Sequence, residues 1–352
     1  MTHPPFAKQG STRHAAGLSL VELLVALAIG LIVVAGVVQV YISARQAYRA
    51  TEALARVQEA GRFAISALMR DIRMAGYSGC ADPDGIPVNN IVDLDGDGSA
   101  DSGYTLGTAA AVRIEDEITT GPGVAGTDRI TLLYAMPQMV PIVSTGNVGG
   151  TGTTPATAEV KIAANPYGFQ AGDVIVVTDC QQADIFAATT VSGGGAGGSP
   201  VTIAIAAANN TTPRLSKDYN KNYAMAMQVV SRRYFIGDTG RTDAGGQPIY
   251  ALYRQDGSDP AVELVEGIQG MEISVALDTD GDGAADTRST SPGGVPADQI
   301  VAVTVSLWAR STDDHVVESP RSFTVGTETV SPSDKRLHLV FTATAGLRNR
   351  LP

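Results

Sequence analysis

Leu18-Ser19-Leu20-Val21-Glu22, followed from Leu23 to Val38 by residues that are all apolar or Gly, is the stretch on which the fold of this 352-residue chain turns. Read as one helix over residues 18–42, it spans about 37 Å at 1.5 Å per residue. That is enough to cross a hydrocarbon core of about 30 Å. Residues 1–17 are polar, carry Lys8 and Arg13, and include no acidic side chain. Basic charge on that side sets the N-terminus in the cytoplasm and sends the chain after Ile42 across the membrane.

A secretory signal has its small-residue cleavage site after the apolar run. Here the small-residue junction, Ala16-Gly17, comes before the run. A plain signal anchor leaves Glu22 unexplained. A carboxylate costs about 2.5–3.5 kcal/mol at the centre of a span and less at its edge, so it calls for a partner.

The segment Gly17-Leu18-Ser19-Leu20-Val21-Glu22-Leu23 resembles the processing site of type IV prepilins and type II secretion pseudopilins. The resemblance implies that a prepilin peptidase in the inner membrane cuts after Gly17. Leu18, standing where the family usually has Phe, then becomes the N-methylated first residue. The resemblance also gives Glu22, fifth in the mature chain, a role in subunit docking. Its carboxylate neutralises the amino terminus of a neighbour in the apolar filament core, where an unpaired charge is expensive and a paired one sets register.

Beyond Ile42 the chain turns amphipathic. Ala47, Leu54, Val57, Gly61, Ile65, Leu68, Ile72 and Ala75 mark one face at helical spacing, with Arg and Glu filling much of the remainder. No Pro interrupts before Pro83, so the pattern predicts helix from Leu18 to about Gly76. Ser43-Ala44-Arg45-Gln46-Ala47-Tyr48-Arg49, Glu59-Ala60-Gly61-Arg62-Phe63-Ala64 and Arg70-Asp71-Ile72-Arg73-Met74-Ala75-Gly76-Tyr77-Ser78-Gly79-Cys80 are similar to the PilW-type minor pilins. The ending Val340-Phe341-Thr342-Ala343-Thr344-Ala345-Gly346-Leu347-Arg348-Asn349-Arg350 resembles the same group. The implied architecture is α+β and pilin-like. A removed leader (1–17) precedes a transmembrane or filament-core helix (18–42). An amphipathic helix (43–76) then packs on a β-rich globular domain with long loops (77–352).

In the globular part, strand-like runs at 129–135, 173–178, 225–235, 249–254, 271–277, 300–309 and 337–344 alternate with Gly/Pro/Asn-rich breaks. They predict one elaborated antiparallel sheet domain. Residues 144–157 and 192–199 are rich in Gly, Thr and Ser and read as loops. Cys80 and Cys180 are the only cysteines, and both sit in contexts resembling the PilW group. An oxidising compartment beyond the membrane favours their pairing, the alternative being two buried free thiols.

Asp93-Leu94-Asp95-Gly96-Asp97-Gly98-Ser99-Ala100-Asp101 recurs in form as Asp278-Thr279-Asp280-Gly281-Asp282-Gly283-Ala284-Ala285-Asp286. Carboxylates at positions 1, 3, 5 and 9, with Gly at 6, suit the oxygen shell of calcium. Position 12 holds Tyr104 and Ser289 instead of the bidentate acid of a true EF-hand, and Asp-Gly repeats also form solvated turns.

A net charge of −11 argues against a surface built to coat nucleic acid. His315 and His338 are the only histidines beyond the leader, and no GxSxG, HExxH, CxxC or phosphate-binding loop occurs. The reading is therefore structural rather than enzymatic: a minor pilin that helps initiate type IV pilus assembly and is incorporated near the pilus tip. Its expected partners are other minor pilins, the major pilin, the prepilin peptidase and the assembly platform. Twitching motility follows from the resemblance. A minor pseudopilin of type II secretion and a pilus-tip adhesin module are the rival readings.

Overall fold

The computed structural model describes residues 19–81, 85–107, 111–148, 157–194, 199–219 and 221–347. Gly17 and Leu18 lie outside them, as do Arg348, Asn349 and Arg350. One helix, α1 (Leu20–Met74), is continuous for 55 residues. Two compact units divide the chain within it, Met1–Glu52 and Ala53–Pro352.

In the first unit every described residue is exposed except the half-buried Ala50. Among the described residues α1 is the one helix long and apolar enough to cross a membrane, and none of its most apolar window is buried within the protein. A bare surface of Leu, Val and Ile this long is stable in a lipid or protein environment rather than in water.

In the second unit α1 buries Ala53, Val57, Gly61, Ala64, Leu68 and Ile72, with Ala75 just past its end. The expected face is turned slightly. Ala47 and Leu54 are exposed, and Ile65 is only partly buried. Small residues hold the centre of the face because the helix approaches the sheet closely there. A Cβ on Gly61 would fall 2.1 Å from the Phe341 ring. Gly61→Val is therefore expected to cost about 1–3 kcal/mol by overpacking, despite a gain in helix propensity. A denaturation midpoint equal to wild type would show that Phe341 can move aside. The helix stops at Gly76, whose φ of 78° suits a C-terminal glycine, and whose N–H donates to the Leu133 carbonyl at 2.8 Å.

The strands in chain order are β1 (Val88–Asn90), β2 (Val112–Glu115), β3 (Arg129–Ala135), β4 (Val140–Val148), β5 (Thr157–Ile162) and β6 (Val174–Thr178). Next come β7 (Ala183–Ala187), β8 (Thr190–Gly193), β9 (Val201–Ile205), β10 (Met225–Thr242), β11 (Pro248–Asp256) and β12 (Val262–Glu266). The last six are β13 (Ile268–Leu277), β14 (Thr287–Ser289), β15 (Ile300–Arg310), β16 (Phe323–Val325), β17 (Glu328–Val330) and β18 (His338–Gly346).

Strand β10 is the spine of a 12-stranded sheet. Its first residues lie between β6 and β4, and its later ones between β3 and β11. A four-stranded sheet runs β14-β13-β15-β18, and β16 and β17 form a separate hairpin. Gly267, with a φ of 89°, carries the chain from β12 in the large sheet into β13 in the small one. Asp128 joins the two sheets as well. Its N–H donates to the Met271 carbonyl at 2.9 Å, and its Oδ2 accepts the Ile273 N–H at 2.6 Å.

The main core gathers α1, β2, β3, β10 and the inner face of the small sheet, where Met271, Leu307 and Phe341 form one cross-strand row and Ile273, Val305 and Ala343 the next. A second cluster lies among β4, β5, β6 and β9.

The seven strands expected from periodicity are present, and the sheets are antiparallel except for the parallel β1–β7 pair. The loop expected at 144–157 is partly strand: Ser144 through Val148 belong to β4 and pair with β5, while 149–156 lie outside the described residues. Ser192 and Gly193 likewise belong to β8. Ser144 through Val148 pair with β5 alone, and β8 is the last strand of its sheet; a ladder paired on one side is held by backbone bonds, and polar composition hid both from the sequence pattern.

Candidate functional site

The N-terminus of α1 is a capping box. Ser19 Oγ accepts the Glu22 N–H, and Glu22 Oε2 accepts the Ser19 N–H, each at 3.1 Å. Glu22 therefore has a partner within its own chain. Only one of its oxygens is used, and the side chain is exposed. The spacing Ser-x-x-Glu ahead of the apolar run was the available signal for this cap.

The two acidic loops fold alike. The first aspartate accepts two backbone N–H groups, from Gly96 (2.8 Å) and Gly98 (3.1 Å) at Asp93, and from Gly281 (2.6 Å) and Gly283 (2.8 Å) at Asp278. The ninth-position N–H closes each loop on the carbonyl just before it, Asp101 to Val92 and Asp286 to Leu277. Gly96, Gly98, Gly281 and Gly283 all have positive φ, which explains the Asp-Gly-Asp-Gly spelling. Backbone hydrogen bonds hold the Asp278 and Asp286 carboxyls below the usual range.

Ligand oxygens of Asp93, Asp95 and Asp97 lie within 4.8 Å of one another, as do those of Asp278, Asp280 and Asp286. Asp101 and Asp282 do not join these groups. Asp101 Oδ2 accepts the Leu94 N–H, and Asp282 Oδ1 accepts the Ala284 N–H. At position 12, Ser289 Oγ donates to the Ser291 carbonyl instead of facing its loop. Such oxygen clusters are chemically suited to a hard divalent cation.

A buried polar centre that sequence reasoning missed fixes α1 to β10. Asp71, 2% exposed, accepts hydrogen bonds from Arg232 Nη1 at 3.0 Å and the Tyr234 hydroxyl at 2.6 Å. Arg232 Nη1 also donates to the Tyr134 hydroxyl, and its Nε donates to Asp256. Burial, then the nearby Asp71 carboxylate, pushes the Tyr234 hydroxyl well above its ordinary range. The available signal was a lone acid between Leu68, Ile72 and Ala75 on the apolar face.

Cys80 and Cys180 form a disulfide, with Cα atoms 5.0 Å apart and a sequence separation of 100. Cys180 is held at a φ of 62° by a turn in which its N–H donates to Thr178 Oγ1. Of the two histidines beyond residue 17, His315 is exposed on a loop. His338 is packed on β18, where its Nδ1 accepts the Trp308 indole N–H and its Nε2 donates to Asp334.

Two family models match the chain. The prokaryotic N-terminal methylation motif covers residues 12–38, taking in Gly17, Leu18 and Glu22. The type IV pilus-assembly protein W family, PilW, covers residues 233–349. Together the two matches fit a PilW-type, prepilin-like pilin.

No curated protein and no solved structure matches it. The N-terminal motif and the exposed apolar helix fit a membrane-anchored pilin, and the family matched at residues 233–349 is one of type IV pilus assembly. The PilW match holds most of β10, all of the small sheet and the loop from Asp278 to Asp286. The pilin's disulfide and its first acidic loop lie outside that match. Cys80→Ser is expected to lower the pilin's stability by about 2–4 kcal/mol, because the bond restrains a long loop in the unfolded chain. Denaturant midpoints with and without reductant measure this, and two alkylatable thiols in the unreduced protein would contradict the pairing.

Proposed function

We propose that this pilin is a minor subunit that helps initiate type IV pilus assembly and is incorporated near the pilus tip. Its globular domain faces the periplasm before assembly and the cell surface afterwards. One observation carries the reading: an unburied apolar helix, capped by Ser19 and Glu22 inside a methylation motif, continues into a chain that matches PilW. Prepilin peptidase cuts after Gly17, Leu18 becomes the methylated terminus, and Glu22 pairs with the amino terminus of a neighbouring pilin. The carboxylate oxygen left over by the Ser19 cap supports that pairing. Other minor pilins, the major pilin and the assembly platform are the partners, and twitching motility depends on the result.

Deleting the gene tests this directly. The expected phenotype is loss of surface pili and twitching with retained major prepilin, restored by the intact gene. Normal piliation with failed protein secretion would move the chain to the type II secretion pseudopilins.

Calcium at the two acidic loops belongs to the same proposal. Asp93, Asp95 and Asp97 hold one ion, and Asp278, Asp280 and Asp286 the other, offsetting the mutual repulsion of clustered carboxylates. Affinities of about 10⁻⁴–10⁻³ M suit extracellular modules of this kind. A calorimetric titration without heat at millimolar calcium would remove the ions from the account.

A further inference from the structure

Alternation along β13, β15 and β18 gives the small sheet two unlike faces. The inner face is apolar. On the outer face Glu272, Ser306 and Thr342 form one cross-strand row, and Ser274, Thr304 and Thr344 form the next. The hydroxyls pair across strands, Ser306 with Thr342 at 3.0 Å and Thr304 with Thr344 at 2.8 Å.

The β16–β17 hairpin lies over this face. Phe323 packs edge-on against Trp308, and Val325 is buried. The turn glycine Gly326 comes so near that a Cβ there would fall 3.2 Å from Cβ of Glu272. Between hairpin and sheet is a groove of about 330 Å³, lined by Glu272, by the hydroxyls of Thr304, Ser306 and Thr342, and by Thr324 and Thr327 of the hairpin.

Hydroxyls on the outer face of an antiparallel sheet are ordinary. A carboxylate without a counter-ion under a roof is not. Glu272 is half-buried, and among the described residues no hydrogen-bond donor or cation pairs with its side chain. The charged groups that act on it most strongly, Asp128, Glu328, Asp116 and Glu117, are all acids. Burial, then these carboxylates, pushes Glu272 up to about 8. The groove thus offers one carboxylate and several hydroxyl oxygens, in a field that favours positive charge.

A primary ammonium carries three N–H donors and no acceptor, which matches that set. A hard divalent cation demands several carboxylate or carbonyl oxygens, and Glu272 is the one carboxylate lining the groove. We infer that the groove between the β16–β17 hairpin and the small sheet binds an alkylammonium group of lysine side-chain size, with Glu272 as its counter-ion and the Ser/Thr grid as acceptors.

The full-length pilin in non-ionic detergent tests this by titration with n-butylamine, with N-acetyl-lysine methylamide, and with the neutral N-acetyl-norleucine methylamide. Saturable binding of an amine is expected, with none of the norleucine compound, and Glu272→Gln should weaken it at least about tenfold. Binding of both amines identifies any small alkylamine as sufficient. Binding of the lysine compound alone identifies a basic protein segment as the source. Because Glu272 is largely protonated at neutral pH, amine binding should release a proton, so the heat should depend on the ionisation enthalpy of the buffer. Thr304→Val and Thr342→Val keep the strand-favouring shape while removing acceptors, and each should weaken binding in a chain that melts like wild type. Absence of saturable amine binding, equal binding of norleucine, or unchanged affinity in Glu272→Gln and in both valine variants would overturn the assignment.

Discussion

Gly17→Asp is expected to leave the chain as an uncut precursor of full length, retained in the membrane of cells that contain the peptidase. The junction combines a residue without a side chain, a leader with basic and no acidic side chains, and the expected anchor helix starting at Leu18. Aspartate there adds both bulk and a second negative charge at the edge of the span, where Glu22 already stands. The loss should be close to complete, since nothing else near residue 17 offers an equivalent junction except the adjoining Ala16. Immunoblotting for precursor and mature lengths reads it out. A mature-length chain from the Gly17→Asp gene would end the cleavage claim and, with it, the role of Glu22 as the fifth mature residue.

The second large effect is expected inside the globular unit. Asp71→Ala should destabilise it by about 3 kcal/mol, because the change leaves the Arg232 guanidinium and the Tyr234 hydroxyl buried without their common acceptor. The figure sits at the lower end for a broken buried pair because Asp256 still holds Arg232 Nε. Replacing Asp71 by Leu and Arg232 by Met together should recover much of the loss, as apolar groups of similar volume need no partner. Chemical denaturation of the purified chain measures both variants. A midpoint for Asp71→Ala within error of wild type would show that the centre contributes little to holding α1 on β10.

Asp71 marks where sequence reading stopped. It lies in the Arg70–Cys80 stretch that resembles PilW-type pilins, yet nothing local tells an acid pointing at water from one pointing at an arginine 161 residues away. The same limit applies to the helix face. Periodicity located a helix and an apolar stripe, but Leu54 and Ile65 outrank Ala53 and Ala64 in hydrophobicity while the alanines occupy the contact. Close approach at Gly61 selects small residues, and closeness is set by Phe341 on a strand at the other end of the chain. Strands with a large apolar residue at every second place, such as β3 (Ile130, Leu132, Tyr134) and β15 (Val301, Val303, Val305), were legible. The Thr- and Ser-bearing ends of β4 and β8 were not, since edge pairing rests on backbone bonds that composition does not record.

By itself the sequence determined the anchor helix and two acidic loops of the same D-x-D-G-D-G-x-x-D form, and it carried the Ser-x-x-Glu signal of the cap at Ser19 and Glu22. All of these depend on residues within a few positions of one another, where chain connectivity alone brings the groups together. The tertiary structure alone decided which oxygens of the acidic loops converge, that Asp71 meets Arg232, and that Glu272 shares a roofed face with the hydroxyls of two other strands. The last two of these depend on strand register, and a shift of one residue would turn each strand side chain to the opposite face of its sheet.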